Sequence, residues 1–175
     1  MHTPIPPDAA WQSRVDATWA RLDSMDAAGF VAAIDALAAE RGDADAFATF
    51  ERACARDSVG DETQAEPLYR AALAAGGLDA YRRARATLQL ASTLRILGRL
   101  EESEALLVGE LDRQVANGES ALRDEARAIL AFTWIAMGRA EAAAGLALAT
   151  LAPKLTRYQR SMARNAARIA PRTWG

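Results

Sequence analysis

Three glycines at nearly equal intervals constrain this chain more than any other feature of its sequence. Gly60, Gly98 and Gly138 are 38 and 40 residues apart, and similar residues surround each one. Alanine stands seven positions before every glycine, and alanine or serine stands five positions after it. A period of this length indicates an array of one repeated supersecondary unit. Since glycine permits the turn that ends a helix and small residues let two helices approach, each unit is predicted to be a helical hairpin.

The amino-acid composition favours helices in the rest of the chain as well. Hydrophobic residues make up 51% of the sequence and many of them are alanine, whereas aromatic residues make up only 6%. Alanine is the best helix former, because it loses no side-chain entropy in a helix. Runs of β-branched and aromatic residues, which are typical of strands, are missing. We therefore expect an all-α fold.

Apolar residues at helical spacing predict about nine helices. The first contains Trp11, Val15 and Trp19, and the second follows Asp26 and ends near Gly42. The others are predicted near residues 44–58, 62–75, 79–97, 100–116, 119–137, 139–152 and 154–169. Because the intervals between them are short, successive helices are expected to pack as antiparallel hairpins.

Two copies of the repeated pattern are especially clear: Leu90-Ala91-x-x-Leu94-x-x-x-Gly98 and Leu130-Ala131-x-x-Trp134-x-x-x-Gly138. This pattern resembles the tetratricopeptide repeat, a helix–turn–helix unit of 34 residues. The resemblance covers about residues 46–153 as three repeats and is closest to small bacterial members of that family. The early tryptophan of the family signature is replaced by other residues, namely Thr49, Thr87 and Arg127. The longer period implies extended helices.

The resemblance implies a right-handed α-solenoid of stacked antiparallel hairpins, in a single domain. Because the ends of such an array need caps, residues 9–41 are expected to form N-terminal capping helices and residues 154–169 a C-terminal capping helix. Residues 1–8 are expected to be a disordered, proline-rich lead, and residues 170–175 a tail. The capping helix should carry one apolar stripe, made of Leu155, Tyr158, Met162 and Ile169.

The function that the resemblance implies is that of a non-catalytic adaptor, which binds a peptide or partner protein in the concave groove of the array. The first helix of each hairpin lines that groove in the family. The matching positions here give a candidate partner-binding site of Phe50, Asp57, Arg85, Gln89, Ser92, Arg95 and Phe132. Neighbouring positions on the same faces are Phe47, Cys54, Glu125, Ala128 and Ile135.

The phenylalanine and arginine side chains in this groove are expected to contact the ligand in different ways. Phe50 and Phe132 are expected to be exposed apolar contacts at its two ends. Arg85 or Arg95 is expected to bind an acidic residue of the ligand, because a planar guanidinium makes two parallel hydrogen bonds to a carboxylate. The sequence leaves open an alternative, in which both arginines pair only with neighbouring acids of the chain.

The sequence offers little material for catalysis. His2 is the only histidine and Cys54 the only cysteine, and no phosphate-binding glycine loop is present. We therefore expect no catalytic residues, no bound metal and no cofactor. Acidic residues such as Glu101 and Glu102 are interpreted as surface charge at a helix start. A small enzyme with a carboxylate-based site is the remaining enzymatic alternative.

Charge is distributed unevenly along the chain. No acid follows Glu141, whereas six basic residues do: Lys154, Arg157, Arg160, Arg164, Arg168 and Arg172. Residues 1–141 contain 15 basic and 23 acidic residues, a net charge of −8. The basic helix is interpreted as a solvated cap, and the alternative is a surface for an acidic partner or nucleic acid. Nucleic-acid binding is not expected, and homodimerisation through an uncapped end is a further alternative.

The cellular location is also predicted from the sequence. No stretch is apolar enough to span a bilayer, and the first residues lack the features of a secretory signal. A single cysteine agrees with a reducing cytoplasm. Basic residues other than Lys154 are all arginine or the single histidine, a bias typical of GC-rich bacterial genomes. A bacterial, cytoplasmic protein without membrane partners is therefore expected.

Overall fold

Helices account for nearly all regular structure in the computed structural model, which describes residues 6–174. Within that range there are nine α-helices, two short 3-10 turns and no β-strand. The helices are α1 Ala9–Trp19, α2 Ala27–Ala39, α3 Ala46–Ser58, α4 Glu62–Ala75, α5 Ala80–Ile96, α6 Leu100–Asn117, α7 Arg123–Ala136, α8 Ala140–Leu151 and α9 Gln159–Ile169. The prediction of an all-α fold is confirmed.

Aspartate side chains begin several of these helices. The carboxylate of Asp8 accepts a hydrogen bond from the backbone amide of Trp11 at 2.7 Å. Asp26 and Asp45 do the same for the amides of Gly29 and Ala48, each at 2.8 Å. Such a cap satisfies an amide that has no partner within the helix, and it places a negative charge at the positive end of the helix dipole. Helix starts in the first half of the chain are thus specified locally.

The three repeated glycines end helices in the same way. Gly60, Gly98 and Gly138 have φ angles of 80°, 79° and 77°, in the left-handed region that glycine adopts readily. In each turn the amide of the next residue donates to the carbonyl four residues before the glycine, at 2.9, 2.8 and 2.7 Å. The glycine amide itself donates to the carbonyl three residues earlier. This is the Schellman motif, and it confirms the predicted hairpin turns.

The small residues around these glycines are buried, as the hairpin prediction requires. Alanine seven residues before each glycine is buried, and so is the alanine or serine five residues after it. Nine residues after the glycine, Tyr69 and Leu107 are also buried. The third repeat differs, because Ala147 is exposed and Leu146 takes the buried place. The buried residue nine positions after the glycine is therefore not repeated in the third hairpin.

The chain forms two compact units, one ending at Thr93 and the other beginning at Leu94. In the first unit α1 packs on α2, α2 on α3 and α3 on α4. In the second unit α6 packs on α7, α7 on α8 and α8 on α9. Neighbours in sequence are thus neighbours in each unit, as expected of helical hairpins. The boundary lies inside α5, where no linker exists, and the capping roles and domain limits inferred from sequence stay predictions.

Two helices begin later than the sequence indicates. Helix α7 begins at Arg123 instead of residue 119, after Leu122 with a φ of 57°. Helix α9 begins at Gln159 instead of residue 154, because a 3-10 turn at Ala152–Lys154 contains Pro153 and Tyr158 has a φ of 65°. Leu155 and Tyr158 therefore precede α9 and do not belong to its apolar stripe. Tyr158 is 76% exposed.

The end of the chain folds back on the second unit. Trp174 is buried, its indole N–H donates to Asp112 at 2.7 Å, and its carbonyl accepts from the guanidinium of Arg127. Nothing in the sequence predicted this packing of the tail. Residues 1–5 and Gly175 lie outside the described residues, and so do His2 and most of the expected lead. Residues 6–8 have no regular secondary structure.

Candidate functional site

The residues predicted to bind a partner fall on three helices of the two units. Phe50 and Asp57 lie on α3, and Arg85, Gln89 and Ser92 lie on α5 within the first unit. Arg95, near the end of α5, and Phe132, on α7, belong to the second unit.

Phe50 is fully buried, so the prediction that it is an exposed contact is wrong. Residues 46–51 at the start of α3 are buried all round, because α2 and α4 both pack against this helix. The ring of Phe50 lies 6.5 Å from that of Tyr69, and the guanidinium of Arg85 lies 5.4 Å from its centroid. Phe50 belongs to the core of the first unit.

Asp57 is the centre of a hydrogen-bond network in the same unit. Its carboxylate accepts from the hydroxyl of Tyr69 at 3.0 Å, from that of Thr93 at 3.2 Å and from the amide of Gln89 at 3.4 Å. Burial raises the pKa of Asp57, and these hydrogen bonds act in the opposite direction. The network ties α3 to α4 and α5. Asp57 and Gln89 thus have structural partners within the chain.

Gln89 also contacts the single cysteine. Its side-chain carbonyl accepts from the thiol of Cys54 at 3.3 Å. Cys54 is fully buried, and burial raises its pKa to about 12. Because a thiol reacts through its thiolate, this residue is suited to packing and not to nucleophilic chemistry. The interpretation of Cys54 as a small core residue agrees with this geometry.

Arg85 and Ser92 are half-buried on α5. Within residues 6–174 the guanidinium of Arg85 forms neither a hydrogen bond nor an ion pair, although its charge acts to lower the pKa of buried Glu51. The alternative in which Arg85 only pairs with a neighbouring acid is therefore not what this structure contains. Its contact with the Phe50 ring is of the cation–π kind.

In the second unit, α7 presents an exposed apolar stripe. Phe132 is 60% exposed and Ile135 is 54% exposed, and Glu125 and Ala128 lie exposed on the same side. The guanidinium of Arg95 lies 5.9 Å from the centre of the Phe132 ring. The expected exposure of Phe132 is confirmed. We use the name α7 patch for Ala128, Phe132 and Ile135 on α7 together with Arg95, which lies on α5.

The opposite side of α7 explains why Phe132 and Ile135 are exposed. Leu130 and Trp134 on that side are buried, and the hydroxyl of Thr133 lies 3.0 Å from the hydroxyl of Ser103 on α6. The Trp134 indole donates to Glu104 at 2.6 Å. These contacts hold α7 in place. The exposed aromatic ring is thus not required by the core.

A second surface feature is the row of arginines on α9. Arg160, Arg164 and Arg168 are exposed at intervals of four residues, and Arg157 precedes the helix. These four form no ion pair within residues 6–174, whereas Lys154 pairs with Asp124 at 2.7 Å and Arg172 pairs with Asp112 at 2.5 Å. Like charges four residues apart on a helix repel each other. We use the name α9 arginine row for these four residues, Arg157, Arg160, Arg164 and Arg168.

The described residues contain neither a cluster of metal ligands nor a membrane-spanning helix. Among residues 6–174 no group of three or more histidine, cysteine, aspartate or glutamate side chains could hold a metal ion. None of the helices in that range is both long enough and apolar enough to cross a membrane.

Comparison with known proteins adds one match. A family model described as Tetratrico peptide repeat matches residues 46–169, which is more than two thirds of the chain. No match was found among curated proteins or among solved structures. The matched range starts at α3, contains the three glycine turns and ends with α9. The chain therefore belongs to the tetratricopeptide repeat family.

Proposed function

We propose that this protein is an adaptor that binds a peptide segment of a partner protein on the α7 patch. Membership of the family indicates a protein–protein interaction module. The observation that carries the finer proposal is the exposure of Phe132 and Ile135 on a helix whose other side is fully packed. Exposed aromatic and aliphatic side chains that the core does not need are typical of interaction sites.

The chemistry of the patch suggests the composition of the ligand. Phe132 and Ile135 supply an apolar surface, and Arg95 supplies a cation over the ring. A ligand with an apolar residue beside an aspartate or glutamate complements both. The carboxylate would meet the guanidinium in a charge-assisted hydrogen bond. Arg85, Gln89 and Ser92 stay a separate prediction for the first unit.

The experiment places a photo-crosslinking amino acid, benzoyl-phenylalanine, at position 132 in the source cell. A second variant carries it at position 164 in the α9 arginine row. Crosslinked proteins are identified by mass spectrometry and the partner is then purified. We expect a partner that is captured from position 132 and not from position 164. Capture from position 164 alone would contradict the proposal.

Direct binding then tests the side chains. We expect Phe132→Ala to weaken binding of the purified partner by at least about tenfold, because truncating a central aromatic contact costs on the order of 2 kcal/mol. Arg95→Ala should weaken it by a similar factor, since a hydrogen bond to a charged group contributes about 1.5–3 kcal/mol. Tyr158→Ala, another exposed aromatic, is the matched control and should leave binding unchanged. Equal effects of all three would refute the assignment.

The second candidate function is binding of an acidic partner to the α9 arginine row. The absence of ion pairs at Arg157, Arg160, Arg164 and Arg168 within residues 6–174 favours it. In this case crosslinks would come from position 164, and binding would weaken steeply with salt. No comparable observation favours an enzyme with a carboxylate-based site.

A further inference from the structure

A cavity in the second unit lies between α7, α8, α9 and the folded-back tail. Its volume is about 300 Å³. One part of its lining is apolar and consists of alanines of α8 and α9 together with Ala152 and Pro153 of the 3-10 turn. The polar part consists of Arg127, Gln159, Arg160 and Thr173. No carboxylate belongs to the lining.

Arg127 is a buried cation that is only partly neutralised. Its side chain is 9% exposed, and its guanidinium donates a hydrogen bond to the carbonyl of Trp174. Its Nε atom is buried without a hydrogen-bond partner among residues 6–174. Its nearest acid is Asp124, at 3.3 Å, and Asp124 is shared with Lys154 at 2.7 Å. Burial lowers the pKa of Arg127 accordingly. Because a buried charge is costly unless it is paired, an anion in this cavity would stabilise the site.

Two further features of the cavity favour negative charge. Arg160 lines it and forms no ion pair within the described chain. Gln159 and Arg160 begin α9, whose N-terminus has no side-chain cap and no acidic residue in its first turn. A helix N-terminus favours anions, because its amides lack partners and its dipole is positive there. Two guanidinium groups and the start of α9 thus belong to the lining of one cavity.

We propose that this cavity binds a small carboxylate with a short apolar body. The carboxylate would lie toward Arg127 and Arg160, and the apolar body would lie against Pro153 and the alanines. The volume is at the lower end of the range for ligand pockets, so the body should contain only a few carbon atoms. Inorganic phosphate supplies charge without an apolar body, so it would leave the alanine wall unoccupied.

The test is a calorimetric titration of the full chain with sodium hexanoate. Hexanol is the neutral probe of the same length, and inorganic phosphate is the anion without a body. We expect saturable binding of hexanoate, with hexanol and phosphate each at least about tenfold weaker, because charged hydrogen bonds and apolar burial both contribute. Equal binding of hexanoate and hexanol, or no binding of hexanoate, would overturn the proposal.

Variants locate the site without disturbing the fold. Arg160 is exposed, so Arg160→Gln should fold normally and weaken hexanoate binding by about tenfold or more. Arg164→Gln, one turn further along α9 and outside the cavity lining, should change it less than about twofold. Equal losses in both variants would mean nonspecific charge attraction and would refute the site. Phe132→Ala should leave hexanoate binding intact, which separates this proposal from peptide binding on the α7 patch.

Discussion

Buried polar side chains at single positions do much to hold the first unit together. Glu51 on α3 is buried, and its carboxylate accepts the indole N–H of Trp19 at 2.7 Å. Burial raises the pKa of Glu51, although the indole and the nearby charges of Arg85 and Arg82 act to lower it. The two partners are 32 residues apart in sequence. Nothing in the sequence indicates that Trp19 and Glu51 form a pair, because only the packed helices bring them together.

This raised pKa leads to a prediction on pH dependence. The folded pKa of Glu51 lies above the unfolded value, so between the two values the folded state binds more protons and its stability falls as pH rises. Glu51→Gln keeps an acceptor for Trp19 but cannot ionise. We expect its free energy of unfolding, relative to the natural protein, to increase from pH 4.5 to pH 7.5. Urea unfolding followed by circular dichroism measures this.

Glu40 provides a control, because its pKa is shifted in the direction opposite to that of Glu51. Its hydrogen bond with Arg14, at 2.7 Å, lowers the pKa of this exposed carboxyl below its ordinary value. Stability from Glu40 is therefore present above the unfolded pKa and is lost as pH falls through the folded pKa. Relative to the natural protein, Glu40→Gln should therefore lose stability as pH rises from the lowered folded pKa to the unfolded pKa, and should change little at higher pH. If Glu51→Gln follows the same trend, the assignment of Glu51 is wrong.

At the scale of helices, features that depend on neighbouring residues could be predicted from the sequence, whereas features that depend on distant segments could not. The turns at Gly60, Gly98 and Gly138 depend on residues within a few positions of each glycine, so the pattern predicted them. The burial of Phe50 depends on α2 and α4 covering α3, and this information is spread over distant segments. Exposure of Phe132 was predictable because the buried and exposed sides of α7 alternate at helical spacing.

The contact between α8 and the end of α9 leads to a prediction on stability. A Cβ atom on Gly145 would lie 2.7 Å from the backbone nitrogen of Ala170 and 2.8 Å from Cγ1 of Ile169. Gly145→Ala should therefore destabilise the protein by about 1–3 kcal/mol, as overpacking does elsewhere. Gly109→Ala, inside α6 with no atom within 4 Å of the added Cβ, is the matched control. It should stabilise by about 0.5–1 kcal/mol, because alanine loses less entropy than glycine.

Thermal unfolding of both variants measures the difference. A loss of stability in Gly109→Ala as large as that in Gly145→Ala would contradict the close approach of α9 to α8.

At the scale of the whole molecule, charge is the property that decides between partner classes. Residues 1–141 carry a net charge of −8 and the remainder +6. We expect no appreciable affinity for a single- or double-stranded DNA oligonucleotide at physiological salt, because the acidic majority opposes the phosphate backbone. Fluorescence anisotropy at several salt concentrations measures this. Tight binding that falls steeply with salt would show the expectation to be wrong.

A triple substitution completes that experiment. If DNA does bind, replacing Arg157, Arg164 and Arg168 by glutamine should reduce the salt slope by about three, since each phosphate contact contributes close to one.

The order of hairpins along the chain followed from the repeat. The division into two compact units did not, because it falls within the unbroken helix α5 and no residue marks it.

Because Cys54 is buried, its rate of chemical labelling can measure how often the surrounding helices separate. Its thiol is shielded and holds its proton at neutral pH, since its pKa is raised to about 12. A thiol-specific dye can therefore modify it only after the surrounding helices separate, and the labelling rate reports how often they do so. A second cysteine placed on the exposed side of α7 would react at once. Fluorophores can thus be attached there selectively while the native cysteine remains in place.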